Sequence, residues 1–176
     1  RQGESRYPPA GEFVSAEGVS LHYIDAGTGA PVVLIHGDGG SVQDWTKSIF
    51  DRVAQDYRSI AVDRPGFGYS ERPEGAGSPF VQARLIRQAA KSLGVQKPIL
   101  VGHSRGGNVA LAYALAYPDH VGAVVTLSAA PYGGKVATHN RLLSLPLVGP
   151  VLAHTVYVPF GRGAVRAGLN AAFAPE

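Results

Sequence analysis

Ser104 stands between two glycines in Gly102-His103-Ser104-Arg105-Gly106, directly after the apolar run Pro98-Ile99-Leu100-Val101 and just ahead of an Ala-rich stretch over 108–117. A strand, a sharp turn with serine at its apex, and a helix make the setting in which G-x-S-x-G reads as a nucleophile elbow; without that setting the pentapeptide is a weak signal. The chemistry would be nucleophilic: a hydroxyl attacks a carbonyl while fixed donors hold the negative charge that develops. An apex serine is held in a strained backbone conformation that lifts its hydroxyl above the carboxyl edge of the sheet. The positions two before and two after it crowd each other and the next strand, so Gly102 and Gly106 leave room where a side chain would clash. The following helix turns its amino end, with its partial positive charge, toward the same spot. The bland alternative is a Gly- and Ser-rich strand–helix turn with no chemistry.

The elements that must carry this turn can be read from patterning. Residues 12–16 and 19–26 form two strands joined at Glu17-Gly18, a hairpin. Residues 31–35 are a short continuous apolar run, the mark of a strand buried on both faces, and it ends in His36-Gly37-Asp38-Gly39-Gly40. Ser41 can cap a helix, with Asp44 in a capping-box arrangement and Trp45, Ile49, Phe50 and Val53 on its apolar face. A strand over 58–62 leads into Asp63-Arg64-Pro65-Gly66-Phe67-Gly68-Tyr69-Ser70. Ser78 and Pro79 then open a helix with Val81, Leu85, Ile86, Ala89 and Leu93 buried, and Gly94 ends it. After the elbow helix and Pro118-Asp119 comes a strand over 121–127. Alternating strands and helices predict an α/β fold: a mainly parallel sheet with helices on both faces. Ligands of such sheets bind beyond the carboxyl ends of the strands, where His36-Gly37, Asp63 and Ser104 all fall. Residues 1–11 read as an extension, 12–130 as the core, and 131–176, broken by Pro146, Pro150 and Pro159, as the start of a helical cap over that edge.

The chain of 176 residues suits one domain of usual size, and its hydrophobic content of 45% is ample for a core. Its 16 Lys and Arg residues are scattered rather than clustered, which argues against a nucleic-acid surface despite the net charge of +3. The absence of cysteine excludes disulfides and thiolate metal sites. No signal peptide is visible in 1–10. The apolar stretch over 142–158 is too short, and too interrupted by proline and glycine, to span a bilayer. Membrane association is not indicated.

The strand ending at His36-Gly37, the Asp63–Ser70 loop and the Gly102-His103-Ser104-Arg105-Gly106-Gly107 elbow, in this order and spacing, resemble the α/β-hydrolase superfamily over roughly residues 13–131. The segment after Pro131 looks like the cap inserted after the sixth strand in that family. The resemblance implies a serine hydrolase with no metal or organic cofactor, acting on a small-molecule acyl substrate. Ser104 would be the nucleophile, and the backbone N–H groups of Asp38 and Arg105 the oxyanion hole. His36, Gly37, Gly102, His103 and Gly106 would support the loop and elbow. A serine here argues against dehalogenase and epoxide-hydrolase relatives. Two positions depart from the commoner pattern: residue 105, often apolar in relatives, is Arg, and residue 38, often apolar or amide, is Asp. A bare carboxylate beside an oxyanion hole opposes catalysis, so Asp38 is expected either to pair with Arg105 or to point at water.

Such an enzyme also needs an acid and then a histidine after the serine. The acids after Ser104 are Asp119 and Glu176. Asp119 and His120 follow the elbow helix back to the far edge of the sheet, and His139 and His154 fall in the cap segment. The triad acid and histidine are therefore expected outside this chain, in a carboxyl-terminal remainder of the same protein, and the sheet is expected to be truncated after its sixth strand. A non-catalytic binding protein of the same fold is the alternative. A dinucleotide-binding oxidoreductase, suggested by Gly37-Asp38-Gly39 and Asp63, fails because Val42 takes the place of the third glycine.

Overall fold

A computed structural model describes residues 8–129 and Gly163. The sequence breaks after Gly18 and after Gly29 into short strands because those turns need positive φ, and Glu17 and Gly18 make the hairpin turn at φ 53 and 81. In chain order the elements are β1 (Glu12–Ala16), β2 (Val19–Ala26), β3 (Pro31–Ile35), α1 (Gln43–Thr46), α2 (Phe50–Val53), β4 (Arg58–Val62), α3 (Pro79–Ser92), β5 (Ile99–His103), α4 (Arg105–Ala116) and β6 (Ala123–Leu127). A 3-10 turn, Pro118–His120, precedes β6.

One six-stranded sheet runs β1-β2-β4-β3-β5-β6. β1 and β2 are antiparallel to their neighbours, and β4, β3, β5 and β6 are parallel. Alternation along β3 shows why both faces are covered. Val33 and Ile35 pack with Ile86, Ala90, Val109 and Tyr113 from α3 and α4. Val32 and Leu34 pack on the opposite side with Val42, Trp45 and Phe50. Each such fully buried aliphatic side chain contributes about 1.5–3 kcal/mol, so the central strands anchor the loops at their carboxyl ends firmly.

The α/β fold with a mostly parallel sheet follows the expectation from sequence, but the single helix over 41–53 does not form. It is two one-turn helices, and Ile49, placed on the apolar face by spacing, is 38% exposed. Ser48 lies at the break. Its hydroxyl donates to the carbonyls of Asp44 (2.5 Å) and Trp45 (3.2 Å), and its N–H closes a tighter turn onto Trp45. Side chain-to-backbone bonds of this kind compete with helix continuation. No capping box forms either: Ser41 Oγ accepts the Gln43 N–H at 3.2 Å, while the Val42 N–H is taken by Asp63. Ser78 precedes α3 as expected, but without a side-chain cap bond.

Contacts divide the chain into two compact units, Arg1–Pro131 and Tyr132–Glu176. The cap expected over 131–176, with His139, His154 and Glu176, lies outside the described residues. None of the described helices is long and apolar enough to cross a membrane.

Candidate active site

β5 passes into α4 through Ser104 alone, and the turn forces that residue to φ 50, ψ −118. L-residues adopt such a conformation only when their surroundings hold them there. Here the Ser104 N–H donates to the Leu127 carbonyl at 2.8 Å, and its own carbonyl accepts from Gly107 N–H at 2.9 Å. A Cβ on Gly102 would lie 2.6 Å from the Gly106 carbonyl carbon, and one on Gly106 would lie 2.5 Å from the His36 carbonyl oxygen. The two glycines therefore let the first turn of α4 press against β5 and the end of β3.

Ladder register brings the second loop to the serine. Ile35 pairs with Gly102, and continuing two residues along both strands sets Gly37 beside Ser104. A Cβ built on Gly37 would lie 3.2 Å from Ser104 Cβ and 3.0 Å from His103 Nδ1. Among the described residues, neither the Asp38 N–H nor the Arg105 N–H has a hydrogen-bond partner. One unspent main-chain donor thus belongs to the residue after Gly37 and the other to the residue after Ser104, where it opens helix α4. His103 is exposed, as is Arg105.

Buried polar side chains lock the loop from beneath. His36 Nε2 accepts the Arg64 N–H at 2.9 Å, so its Nδ1 carries the proton and donates to the Gly37 carbonyl at 2.8 Å. Burial pushes the His36 imidazole below its usual pKa; Arg64 acts in the same direction, and the Gly37 hydrogen bond opposes it. A neutral ring with both nitrogens engaged holds the loop in place and has no lone pair free for Ser104.

The Asp38 carboxylate goes to Arg64 rather than to Arg105. Arg64 Nη2 donates to Asp38 Oδ1 at 2.8 Å and to the Gly37 carbonyl at 2.9 Å, and Nη1 donates to Gln82 Oε1 at 3.1 Å. The guanidinium also lies 4.2 Å from the centre of the Phe67 ring. The Arg64 side chain is 1% exposed and Asp38 65%, so Asp38 meets both its cation and water. Burial draws the Arg64 pKa below its ordinary value, Asp38 opposes that, and Arg105 adds to it.

Asp63 directly follows β4 at the same edge and is fully buried. Its carboxylate accepts from His22 Nδ1 (2.8 Å), Val42 N–H (2.7 Å) and Tyr69 N–H (3.0 Å). His22 Nε2 in turn accepts the Gly11 N–H at 3.2 Å, and Ser70 ties the Asp63 carbonyl to the His22 N–H. Burial alone would raise the Asp63 carboxyl, but these hydrogen bonds outweigh it and hold the pKa below the ordinary value. Asp63 is thereby a knot joining β2, β4 and the loop after β3. Arg64 and His22 escaped the sequence reading. A charged residue in a loop reads by default as solvated, and the signal that could have flagged Arg64 was its place directly after Asp63 at a strand's carboxyl end.

Asp119 and His120 lie at the opposite edge: Gly122, two residues on, bonds to the Pro98 carbonyl ahead of β5, and His120 Nδ1 meets the Tyr113 hydroxyl at 3.0 Å. Among the described residues no group of three or more His, Asp or Glu is placed to hold a metal ion.

Comparison with known proteins agrees with this fold. Residues 30–149 match the family model for the alpha/beta hydrolase fold. A 2-hydroxy-6-oxononadienedioate/2-hydroxy-6-oxononatrienedioate hydrolase of Paraburkholderia phymatum is 33% identical, over 78% of this chain and 48% of its own. A 2-hydroxymuconate semialdehyde hydrolase of Pseudomonas putida is 34% identical, over 95% of this chain and 66% of its own. Among solved structures, a meta-cleavage product hydrolase of Pseudomonas fluorescens, a serine-to-alanine mutant complexed with acetates, superposes with a TM-score of 0.66 at 36% identity, covering 73% of this chain and 48% of that one. An epoxide hydrolase of Bacillus megaterium gives 0.62 at 29% identity, covering 67% and 42%. The chain spans about half the length of the first of these relatives. With a sheet of this order, an elbow of this geometry and a family match over most of its length, the chain belongs to the alpha/beta hydrolase fold family.

Proposed function

We propose that this protein is a serine hydrolase that cleaves a carboxylic ester or related acyl bond through an acyl intermediate on Ser104. The observation that carries the reading is the strained Ser104 turn with Gly37 packed against it. Ser104 Oγ adds to the substrate carbonyl, and the oxygen that gains the electron pair is held by the N–H groups of Asp38 and Arg105. The C–O bond to the leaving group then breaks, and the leaving group departs with the proton that Oγ gave up. Water adds to the acyl-serine through the same hole and releases the acid. The proton is carried by a histidine, oriented by an acid, from outside the described residues: His22 and His36 have both ring nitrogens engaged, His120 is at the other edge, and the exposed His103 beside Ser104 has no acid among the described residues to orient it. No step calls for a metal or organic cofactor.

A second reading keeps Ser104 and the hole but changes the bond. The relatives named as a 2-hydroxy-6-oxononadienedioate hydrolase and a 2-hydroxymuconate semialdehyde hydrolase favour a ketone or aldehyde carbonyl as electrophile, with a carbon–carbon bond breaking instead of C–O. A pure binding role is disfavoured because strain of this kind at a serine has no use in a binder. The test is labelling of the full-length protein with a fluorophosphonate, which is lost in Ser104→Ala. Labelling that survives the substitution refutes Ser104 as nucleophile. Turnover of a 2-hydroxy-6-oxo-dienoate but of no ester selects the second reading.

A further inference from the structure

A fully buried guanidinium directly under a candidate oxyanion loop is not explained by the acyl-transfer steps. It also answers the difficulty raised by Asp38, whose carboxylate belongs to the residue that offers the loop's N–H. We propose that Arg64 is a positioning residue for the oxyanion hole: it clamps the Gly37 carbonyl so that the Asp38 N–H is aimed outward, and it neutralises the Asp38 carboxylate that would otherwise oppose the oxyanion. The inference rests on the acyl-serine reading above.

The geometry supports both halves. The Gly37 carbonyl and the Asp38 N–H belong to one trans peptide, so they point in opposite directions. That carbonyl accepts from His36 Nδ1 (2.8 Å), Arg64 Nη2 (2.9 Å) and Gly40 N–H (3.3 Å). Held on its carbonyl side by three donors, the peptide cannot rotate, and its N–H faces away from the buried clamp. The same Nη2 reaches Asp38 Oδ1 at 2.8 Å, so one nitrogen fixes the donor and its neighbouring charge together. The Arg64 Nε–H faces no acceptor among the described residues, whereas both terminal nitrogens are spent on the loop and on Gln82. That distribution fits a cation retained for the loop rather than for general packing. Arg64 is itself fixed by its own N–H to His36 Nε2 and by Gln82, which is anchored to the Ala76 carbonyl at 2.6 Å.

A ground-state ester carbonyl is neutral and the oxyanion is not, so loss of Arg64 acts on the chemical step and not on binding. The experiment uses the full-length protein and a fluorophosphonate, whose phosphorus is attacked by Ser104 Oγ as the P–F bond breaks and fluoride leaves. The maximal inactivation rate and the half-saturating concentration are measured for wild type, Arg64→Gln, Asp38→Asn and the double variant. Arg64→Gln is expected to lower the maximal rate on the order of 10- to 100-fold with little change in half-saturation. Adding Asp38→Asn to it should restore about 10-fold. A purely structural role for Arg64 predicts no rescue by removing a charge, so a double variant no faster than Arg64→Gln overturns the proposal. If Arg64→Gln fails to fold, the exposed-site variant Asp38→Asn tests the electrostatic half of the proposal, the charge that the Asp38 carboxylate brings to the hole. It leaves Arg64 uncompensated beside the hole and should speed inactivation about threefold; an unchanged or slower rate overturns the proposal. A wild-type protein that is not labelled at Ser104 refutes the acyl-serine reading instead, and labelling of wild type and Arg64→Gln at equal rates refutes the role of Arg64 alone.

Discussion

Replacing Ser104 by glycine should make the protein more stable than replacing it by alanine, although both changes remove the proposed nucleophile. At φ 50, ψ −118 an L-residue is strained, a cost of about 1–3 kcal/mol that alanine keeps and glycine relieves. Against this, glycine adds about 0.5–1 kcal/mol of backbone entropy to the unfolded chain. The hydrogen bonds that hold the turn, from Ser104 N–H to Leu127 and from Gly107 N–H to the Ser104 carbonyl, are main-chain and survive in both variants. Since neither variant has the hydroxyl, the comparison isolates the backbone. The net expectation is about 1 kcal/mol in favour of Ser104→Gly, equivalent to roughly 2–4 °C in melting temperature for a chain of this size. Urea unfolding of the full-length protein reads it as a higher midpoint at unchanged slope. A midpoint for Ser104→Gly at or below that of Ser104→Ala would refute the argument that strain is stored at this turn.

Two further outcomes follow from the same loops. Gly106→Ala sets a Cβ against the Ile35 and His36 carbonyls, which are backbone and cannot give way; destabilisation of about 2–3 kcal/mol is expected by urea unfolding, and fluorophosphonate labelling falls with it. Asp63→Asn takes the charge from a carboxylate held by His22, Val42 and Tyr69, at about 2–4 kcal/mol near neutral pH. Because the folded pKa of Asp63 lies below its unfolded value, its stabilisation is complete above about pH 4 and is lost as pH falls through the folded value. The gap between wild type and Asp63→Asn should therefore narrow in urea titrations below pH 4; a gap independent of pH contradicts the ionised carboxylate.

What the sequence reveals and what it hides divide along the range of the interactions. Strand β3 is legible because Pro31-Val32-Val33-Leu34-Ile35 is apolar at every position, as burial on both faces requires. The Glu17-Gly18 turn is legible because only a few residue types accept positive φ there. The helix over 41–53 is misjudged because its spacing fits a 3.6-residue period, while the hydroxyl of Ser48 diverts the chain. The partner of Asp38 is hidden for another reason. Arg105 is the nearer candidate by motif, whereas Arg64 is 26 residues away and reaches Asp38 only because β4 lies next to β3. Charge pairing across two loops depends on strand order, and strand order is not encoded in any local pattern.

The site's main-chain parts are positioned by neighbours in the sheet, which is why so much of it is assembled within residues 8–129. β3 supplies the Gly37 loop, β5 the serine, and β4, on the other side of β3, supplies the two residues that fix the loop. Asp63 takes the Val42 N–H at the loop's far end, and Arg64 takes the Gly37 carbonyl at its near end. A single register, Ile35 with Gly102 on one side and with Val62 on the other, therefore determines three things at once: where the hydroxyl stands, which way the Asp38 N–H points, and which cation meets the Asp38 carboxylate. A one-residue slip of β4 against β3 would turn Asp63 and Arg64 to opposite faces and undo both anchors. In that sense the pair following β4 belongs to the proposed oxyanion hole as much as the residues that would line it, and substitutions there should be read by their effect on the rate of Ser104 labelling as well as on stability.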